Sequence, residues 1–373
     1  MLTTPLKRAM IELTRRPVMP KMTAITALTN LCSRARRATT ATKGLVAAAA
    51  VLTFGALPGA ALAQGKAAML LPGSINDQSW NAQGYAGVLK IKDLGMEAAY
   101  SENVQPADHI EAMRDYARRG FSPVIGHSGR FLSAAQRVGP EFEKTQFIVG
   151  SGSGGFGKNV LSIDFDNTQF GYLMGVLAAR MSKTGKVGSV NSLEGLPNVV
   201  AQVGAFRQGV KSVRPDAEVK VIYIQSMEDA AAAKEAALSL IAGGADFVTG
   251  KLNAGQAGII QAAMEKNVYA NGRSVGHTQI APKNVLTNII EKWADMYAAA
   301  AADSKSGKLS GDYRLYGLNT AGSTGAELRY NPEREYNSVV PASIVSELEG
   351  LKKKFASGEL KLKVTREDAH GGI

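Results

Sequence analysis

From Lys66 to Asn271 the chain repeats one unit, a short apolar or β-branched run followed by a helical pattern. Strands are expected at Lys66–Leu71, Met96–Tyr100, Pro123–Gly126, Phe147–Gly150 and Leu161–Asp164, with helices at Gln83–Leu94 and Pro106–Arg118. The alternation resumes with helices Phe170–Met181, Val199–Val213, Asp229–Ala242 and Gln256–Lys266 around strands Lys186–Val190, Val219–Ile224, Asp246–Thr249 and Val268–Asn271. Strand followed by helix, repeated, implies parallel sheets wrapped by helices on both faces. The first series covers about residues 66–164 and the second about 165–275, so the fold class is α/β with two doubly wound lobes. A helix over Val285–Ala301 and the segments Arg314–Leu318, Glu327–Tyr330 and Pro341–Phe355 must attach to these lobes, so the chain crosses between them more than once. The expected division gives lobe I residues 64–164 plus about 284–312, lobe II about 165–283 plus 313–365, and a flexible tail over 366–373. The hinge is then expected near Asp164–Asn167 and Gly276–Asn284.

Residues 1–63 read as a leader. The apolar run Gly44–Ala63 is entered from Arg34, Arg36, Arg37 and Lys43 and closes on Ala61-Leu62-Ala63, the layout of a cleavable secretory signal cut after Ala63. A retained anchor is the alternative, against which Pro58 and the small residues count because they leave the run short and weakly apolar. Met22 is an alternative start, and Cys32 lacks the apolar stretch a lipid attachment site needs before it. Of the formal net charge of +11, +8 sits in residues 1–63, so the body carries +3 and the basic character is no argument for a nucleic-acid partner. The single cysteine, Cys32, lies in the leader, so disulfides and thiol chemistry are excluded from the body. With four histidines in the chain, metal ligation is poorly supplied, and no metal or cofactor is expected. The 310 residues after Ala63 exceed the size at which one core usually keeps growing, in keeping with two domains.

In open parallel sheets, ligands sit beyond the carboxyl ends of the strands, so each candidate site is a strand-to-helix loop. The first such loop, Pro72–Asn81, gathers Asn76, Asp77, Trp80 and Asn81, hydrogen-bonding groups around one aromatic ring. Asp77 or Ser79 also suits the N-cap of the following helix and Trp80 a core anchor, but their clustering favours a polar solute held against an indole face. Gly150–Gly155 fits G-x-G-x-x-G, yet Phe156–Val160 leads into a strand, whereas a dinucleotide site needs a helix N-terminus there. Gly126-His127-Ser128-Gly129-Arg130 begins like a nucleophile elbow but has Arg130 in place of the second glycine, and His127 is a poor base for its neighbour Ser128.

The segment Asn76–Asn81 resembles the D-K-S-F-N signature that follows the first strand in the basic membrane protein family, the purine-nucleoside-type substrate-binding components of ABC importers. Ser162–Asn167 running into Phe170–Ala179, Gly204–Val210, Ile241–Asp246, Ala281–Thr287 and Ser357-Gly358-Glu359 match further stretches of that family in order, over nearly the whole body. The resemblance implies a type I periplasmic binding protein, a Venus-flytrap whose two lobes, joined by a multi-strand hinge, close on a ligand. It implies that Asp77, Trp80 and Asn81, with Asn76 beside them, form the first-lobe contacts, and that Ser128 and Gly129 form a further wall. On the second lobe, Met227 and Asp229 stand in Gln225–Asp229 where many members carry an aromatic. Asn253, Gly272 and His277 complete the candidate set.

Where the family has G-x-D-S-D, whose acid grips ribose hydroxyls, this chain reads Asn271-Gly272-Arg273-Ser274-Val275-Gly276-His277, with no carboxylate. A free base or another small amide-rich ring is therefore expected over a nucleoside, and Arg273 or His277 either meets a ligand acceptor or is structural. The overall expectation is a periplasmic, monomeric, non-enzymatic receptor that hands a purine-like solute to an ABC permease in the inner membrane. A receptor of the same fold for a modified sugar or signalling molecule, and an enzyme on this scaffold, are the alternatives.

Overall fold

Two six-stranded sheets, one per lobe, organise the computed structural model, which describes residues 65–76, 80–321 and 325–372. The first lobe is built in chain order from β1 (Lys66–Leu70), α1 (Trp80–Asp93), β2 (Glu97–Ser101), α2 (His109–Arg118), β3 (Val124–Gly126), α3 (Leu132–Val138), β4 (Phe147–Gly150) and β5 (Val160–Phe165). The second contains α4 (Asn167–Met181), β6 (Lys186–Ser192), α5 (Pro197–Val213), β7 (Glu218–Ile224), α6 (Ala230–Ala242), β8 (Phe247–Lys251), α7 (Gln256–Lys266), β9 (Tyr269–Gly272), α8 (Val275–Ile280) and β10 (Val285–Glu291). The chain then returns to lobe I for α9 (Trp293–Lys305) and β11 (Tyr313–Tyr316), and ends in lobe II with β12 (Ala326–Leu328) and α10 (Ala342–Ser357). The sheet orders are β11-β5-β4-β3-β1-β2 and β12-β10-β9-β8-β6-β7, parallel throughout except for the β10–β12 pair. Central strands such as β4, buried at every position, are apolar runs with helices on both faces.

The β9–β10 pairing corrects the expected lobe boundaries. The sequence pattern predicts one helix over Val285–Ala301, but Val285–Glu291 is a strand that pairs with β9 in lobe II, and the helix begins only at Trp293. A short apolar run buried on both sides carries no period that separates strand from helix. β11 likewise belongs to lobe I through β5, so residues 313–316 lie in that sheet and not in lobe II. The crossings are therefore Phe165–Asn167, Glu291–Trp293 and the stretch from Tyr316 to Ala326, whereas Gly276–Asn284 lies wholly within lobe II around α8. They are tied to one another: the Asp166 amide donates to the Tyr316 carbonyl at 2.8 Å and the Lys292 amide to the Gly325 carbonyl at 2.8 Å.

The tail is not free. The Gly372 and Val221 backbones exchange hydrogen bonds of 2.7 and 2.8 Å, the Tyr223 hydroxyl donates to the Ala369 carbonyl at 2.5 Å, and Ala369 is buried.

A side-chain hydrogen bond spans the cleft, from Asn198 Nδ2 at the start of α5 to Ser151 Oγ in lobe I, at 2.9 Å. A chain that passes between the lobes at a few neighbouring points suits hinge closure around a solute. Addition of a saturating ligand is expected to lower the radius of gyration in solution scattering; superimposable curves with and without ligand would count against a moving hinge.

Candidate functional site

A cavity of about 770 Å³ opens between the lobes at the carboxyl ends of β1, β3, β4, β6, β8 and β9, where the strand-to-helix loops gather. On the lobe I side, Trp80 is the first residue of α1, and its ring stacks on His127 with centroids 4.0 Å apart and planes 17° from parallel. The indole N–H donates to the His127 carbonyl at 2.9 Å, while Trp293 meets the Trp80 ring edge-on at 5.0 Å. His127 is fully buried behind this pair: Nε2 donates to the Trp80 carbonyl at 2.7 Å, which leaves Nδ1 to accept the Tyr297 hydroxyl at 2.6 Å. Both ring nitrogens are thus spent holding the indole in place, and none is left to activate Ser128. Asn81 lines the cavity and accepts the Gly73 amide through Oδ1 at 3.0 Å, closing the first loop on itself. Ser128 and Gly129 also line the cavity, and glycine is required at 129 because a Cβ there would lie 2.5 Å from the Ser151 carbonyl oxygen.

The lobe II wall includes Met227, Glu228, Asn253 and Arg273. Glu228 is engaged by Asn253, whose Nδ2 donates to it at 2.6 Å, and by the Ala254 amide at 3.1 Å. Four of the sequence-selected residues stand elsewhere. Asp229 caps α6, accepting the Ala231 and Ala232 amides at 3.0 and 2.9 Å. Gly272 is packed so closely that a Cβ would meet Asn288 Oδ1 at 2.1 Å, and His277 accepts the Arg273 amide at 3.0 Å. Burial, then the nearby Arg273 charge, push the His277 imidazole down to about 4, so it is a neutral structural group. Asn76 is exposed at the outer end of its loop, outside the cavity wall. Asp77 lies outside the described residues.

At the floor lies a charge cluster of which the loop-by-loop reading finds only Arg273. Lys251 ends β8, Glu291 ends β10, Arg273 follows β9 and Asp164 stands near the end of β5, and all four line the cavity. Arg273 Nη2 contacts Glu291 Oε1, Lys251 Nζ lies 3.5 Å from the same oxygen, and Trp293 Nε1 donates to Oε2 at 2.6 Å. The side chains of Lys251, Glu291 and Arg273 are only 6, 6 and 12% exposed. Burial pushes the Asp164 carboxyl up to about 7 and the Lys251 ammonium down to about 8. Burial also opposes ionisation of Glu291, but Arg273 and Lys251 outweigh it and hold that carboxyl below its ordinary value. Lys251 further sits 4.7 Å from the centroid of the Phe165 ring. Each of these residues ends or follows a strand, and this position, rather than any motif, is the signal that could have found them.

Two lobes, three crossings and a solvent cavity between them are the architecture of a type I solute-binding protein. The chain belongs to the Bmp family, described as ABC transporter substrate-binding protein PnrA-like, whose sequence model matches residues 64–365. It is 30% identical over 257 residues, 68% of this chain and 80% of the relative, to the transcriptional activator protein Med of Bacillus subtilis. It is 30% identical over 213 residues, 56% of this chain and 59% of the relative, to a purine-binding protein of Brucella abortus. Among solved structures, an ABC transporter solute-binding protein of Conexibacter woesei superposes with a TM-score of 0.63 at 26% identity, covering 80% of this chain and 99% of that one. Substrate-binding proteins of ABC importers work outside the cytoplasm, and among the described residues no helix is long and apolar enough to cross a membrane.

Proposed function

We propose that this protein is a non-enzymatic extracytoplasmic receptor, freed from its leader near Ala63, that closes on a small purine-like solute and delivers it to an ABC permease in the inner membrane. The observation that carries the reading is the Trp80 indole in the cavity wall, fixed from behind by His127 and from the side by Trp293, a rigid platform for a flat ring. The similarity to a purine-binding protein of Brucella abortus supports the same ligand class. The carboxylates of the cavity wall already have partners: Glu291 holds two cations, Glu228 holds Asn253, and Asp164 accepts Ser151 Oγ and the Phe165 amide. The loop Asn271–His277 carries no carboxylate to grip a ribose diol, which favours a free base over its nucleoside.

Mass spectrometry of the ligand retained through native purification, followed by calorimetric titration, tests the reading. A retained purine base that binds more tightly than its nucleoside is the expected result; a retained sugar, or no purine binding, would overturn it. Trp80→Ala should weaken purine binding by about 1–3 kcal/mol, the usual worth of base–aromatic stacking. If the folded variant binds as tightly as the parent, the ring is recognised elsewhere.

A further inference from the structure

Around Glu291 the floor of the cavity holds more hydrogen-bond donors than acceptors. Arg273 uses Nη2 on Glu291 Oε1, while its Nη1 is buried with no hydrogen-bond partner among the described residues. The Lys251 ammonium shares that same carboxylate oxygen at 3.5 Å, longer than a good N–H···O bond. The other Glu291 oxygen is taken by the Trp293 indole N–H at 2.6 Å. Two cationic donors therefore converge on one oxygen, both line the cavity, and each keeps N–H groups to spare. A buried donor left unpaired is costly, so the group that completes this floor is one that supplies acceptors.

We propose that the solute is a 6-oxopurine and that Arg273 and Lys251 read its O6/N7 edge. This rests on the purine reading above and narrows it to a substrate class. In the N9–H tautomer the O6/N7 edge of a 6-oxopurine offers two adjacent acceptors, which suits arginine or lysine, whereas a 6-aminopurine offers on that edge one acceptor and one N–H₂ donor. Against the Arg273–Lys251 pair an amino group sets donor against donor. Asp164, on the opposite lobe, accepts from Ser151 and Phe165 and faces the same cavity, where it can take a ring N–H.

Calorimetric titration with hypoxanthine, xanthine and adenine tests the assignment on the parent protein, Arg273→Lys and Lys251→Met. Arg273→Lys keeps a cation for Glu291 but removes the second arm of the guanidinium fork. Lys251→Met keeps the side-chain stem and the Arg273–Glu291 pair. The parent should bind hypoxanthine or xanthine about tenfold or more tightly than adenine, the effect of one charge-assisted hydrogen bond gained or lost. Each variant should lose about tenfold or more for the oxopurines and change little for adenine, with urea denaturation showing that it remains folded. Adenine binding as tightly as hypoxanthine, or both folded variants losing affinity equally for the two bases, overturns the oxopurine assignment and leaves the purine reading standing. If none of the three bases binds, the purine reading falls and the assignment with it.

Discussion

Glu291→Gln is expected to destabilise the protein by about 3–5 kcal/mol, the usual consequence of removing one partner of a buried ion pair. Glu291 is the anion that both Arg273 and Lys251 contact, and its side chain and theirs are almost wholly out of water. The amide can still accept the Trp293 indole N–H, so packing survives while the charge is lost. The two cations respond differently. Lys251, already pushed down to about 8 by burial, can release its proton, but a guanidinium cannot, so most of the loss falls on Arg273. A second change, Arg273→Met, should therefore recover much of the stability, giving a coupling energy of roughly 2 kcal/mol or more in a double-mutant cycle. Urea denaturation of the four proteins measures it, and simple additivity would mean that the cluster is not electrostatically coupled.

Asp164→Asn is expected to act in the opposite direction, with a pH signature. Burial raises the Asp164 carboxyl to about 7 against an ordinary 3.8, Lys251 pulling it down and Glu291 pushing it up to a lesser extent. The folded state thus holds a proton that the unfolded chain has released. Stability is full below about pH 4, falls as pH rises towards 7 and is flat above. Asparagine keeps the acceptor for the Phe165 amide and removes this slope. The variant should gain on the order of 4 kcal/mol over the parent at pH 8 and almost nothing at pH 4. Equal differences at both pH values would show that the Asp164 proton is not coupled to folding.

How much of this was legible beforehand depended on how far each feature relied on local signal. Strand–helix alternation and the order of the family-like stretches predicted both lobes, and Gln256–Lys266 is helical over that same span. Trp80, Asn81, Ser128, Gly129, Met227 and Asn253 do meet at one cavity because each sits in a loop, or at the start of the helix that follows it, at the carboxyl end of a strand. Asp229 and His277 are both ligand candidates in the sequence, but an Asp before an alanine-rich helix is a cap, and His277 accepts the amide of Arg273 in its own loop. The Lys251–Glu291–Arg273 cluster was hidden because its members end or follow three different strands and meet only through the order β10-β9-β8. Reading Val285–Glu291 as helix removed one of those strands, and with it the reason to look at Glu291.

The pairing of Gly372 with Val221 bears on solubility. β7 is the outer strand of its sheet, with residues such as Val221 and Ile222 in a β-rich run, and an uncovered edge of that kind is a template for another chain. The segment from Arg366 to Gly372 crosses this edge, takes up both backbone groups of Val221 and adds the Tyr223 hydroxyl to the Ala369 carbonyl. It is a built-in guard against edge-to-edge association. Truncation after Thr365 should leave the ligand cavity intact while making the protein prone to self-association at high concentration, so an affinity tag is safer placed elsewhere than on this segment.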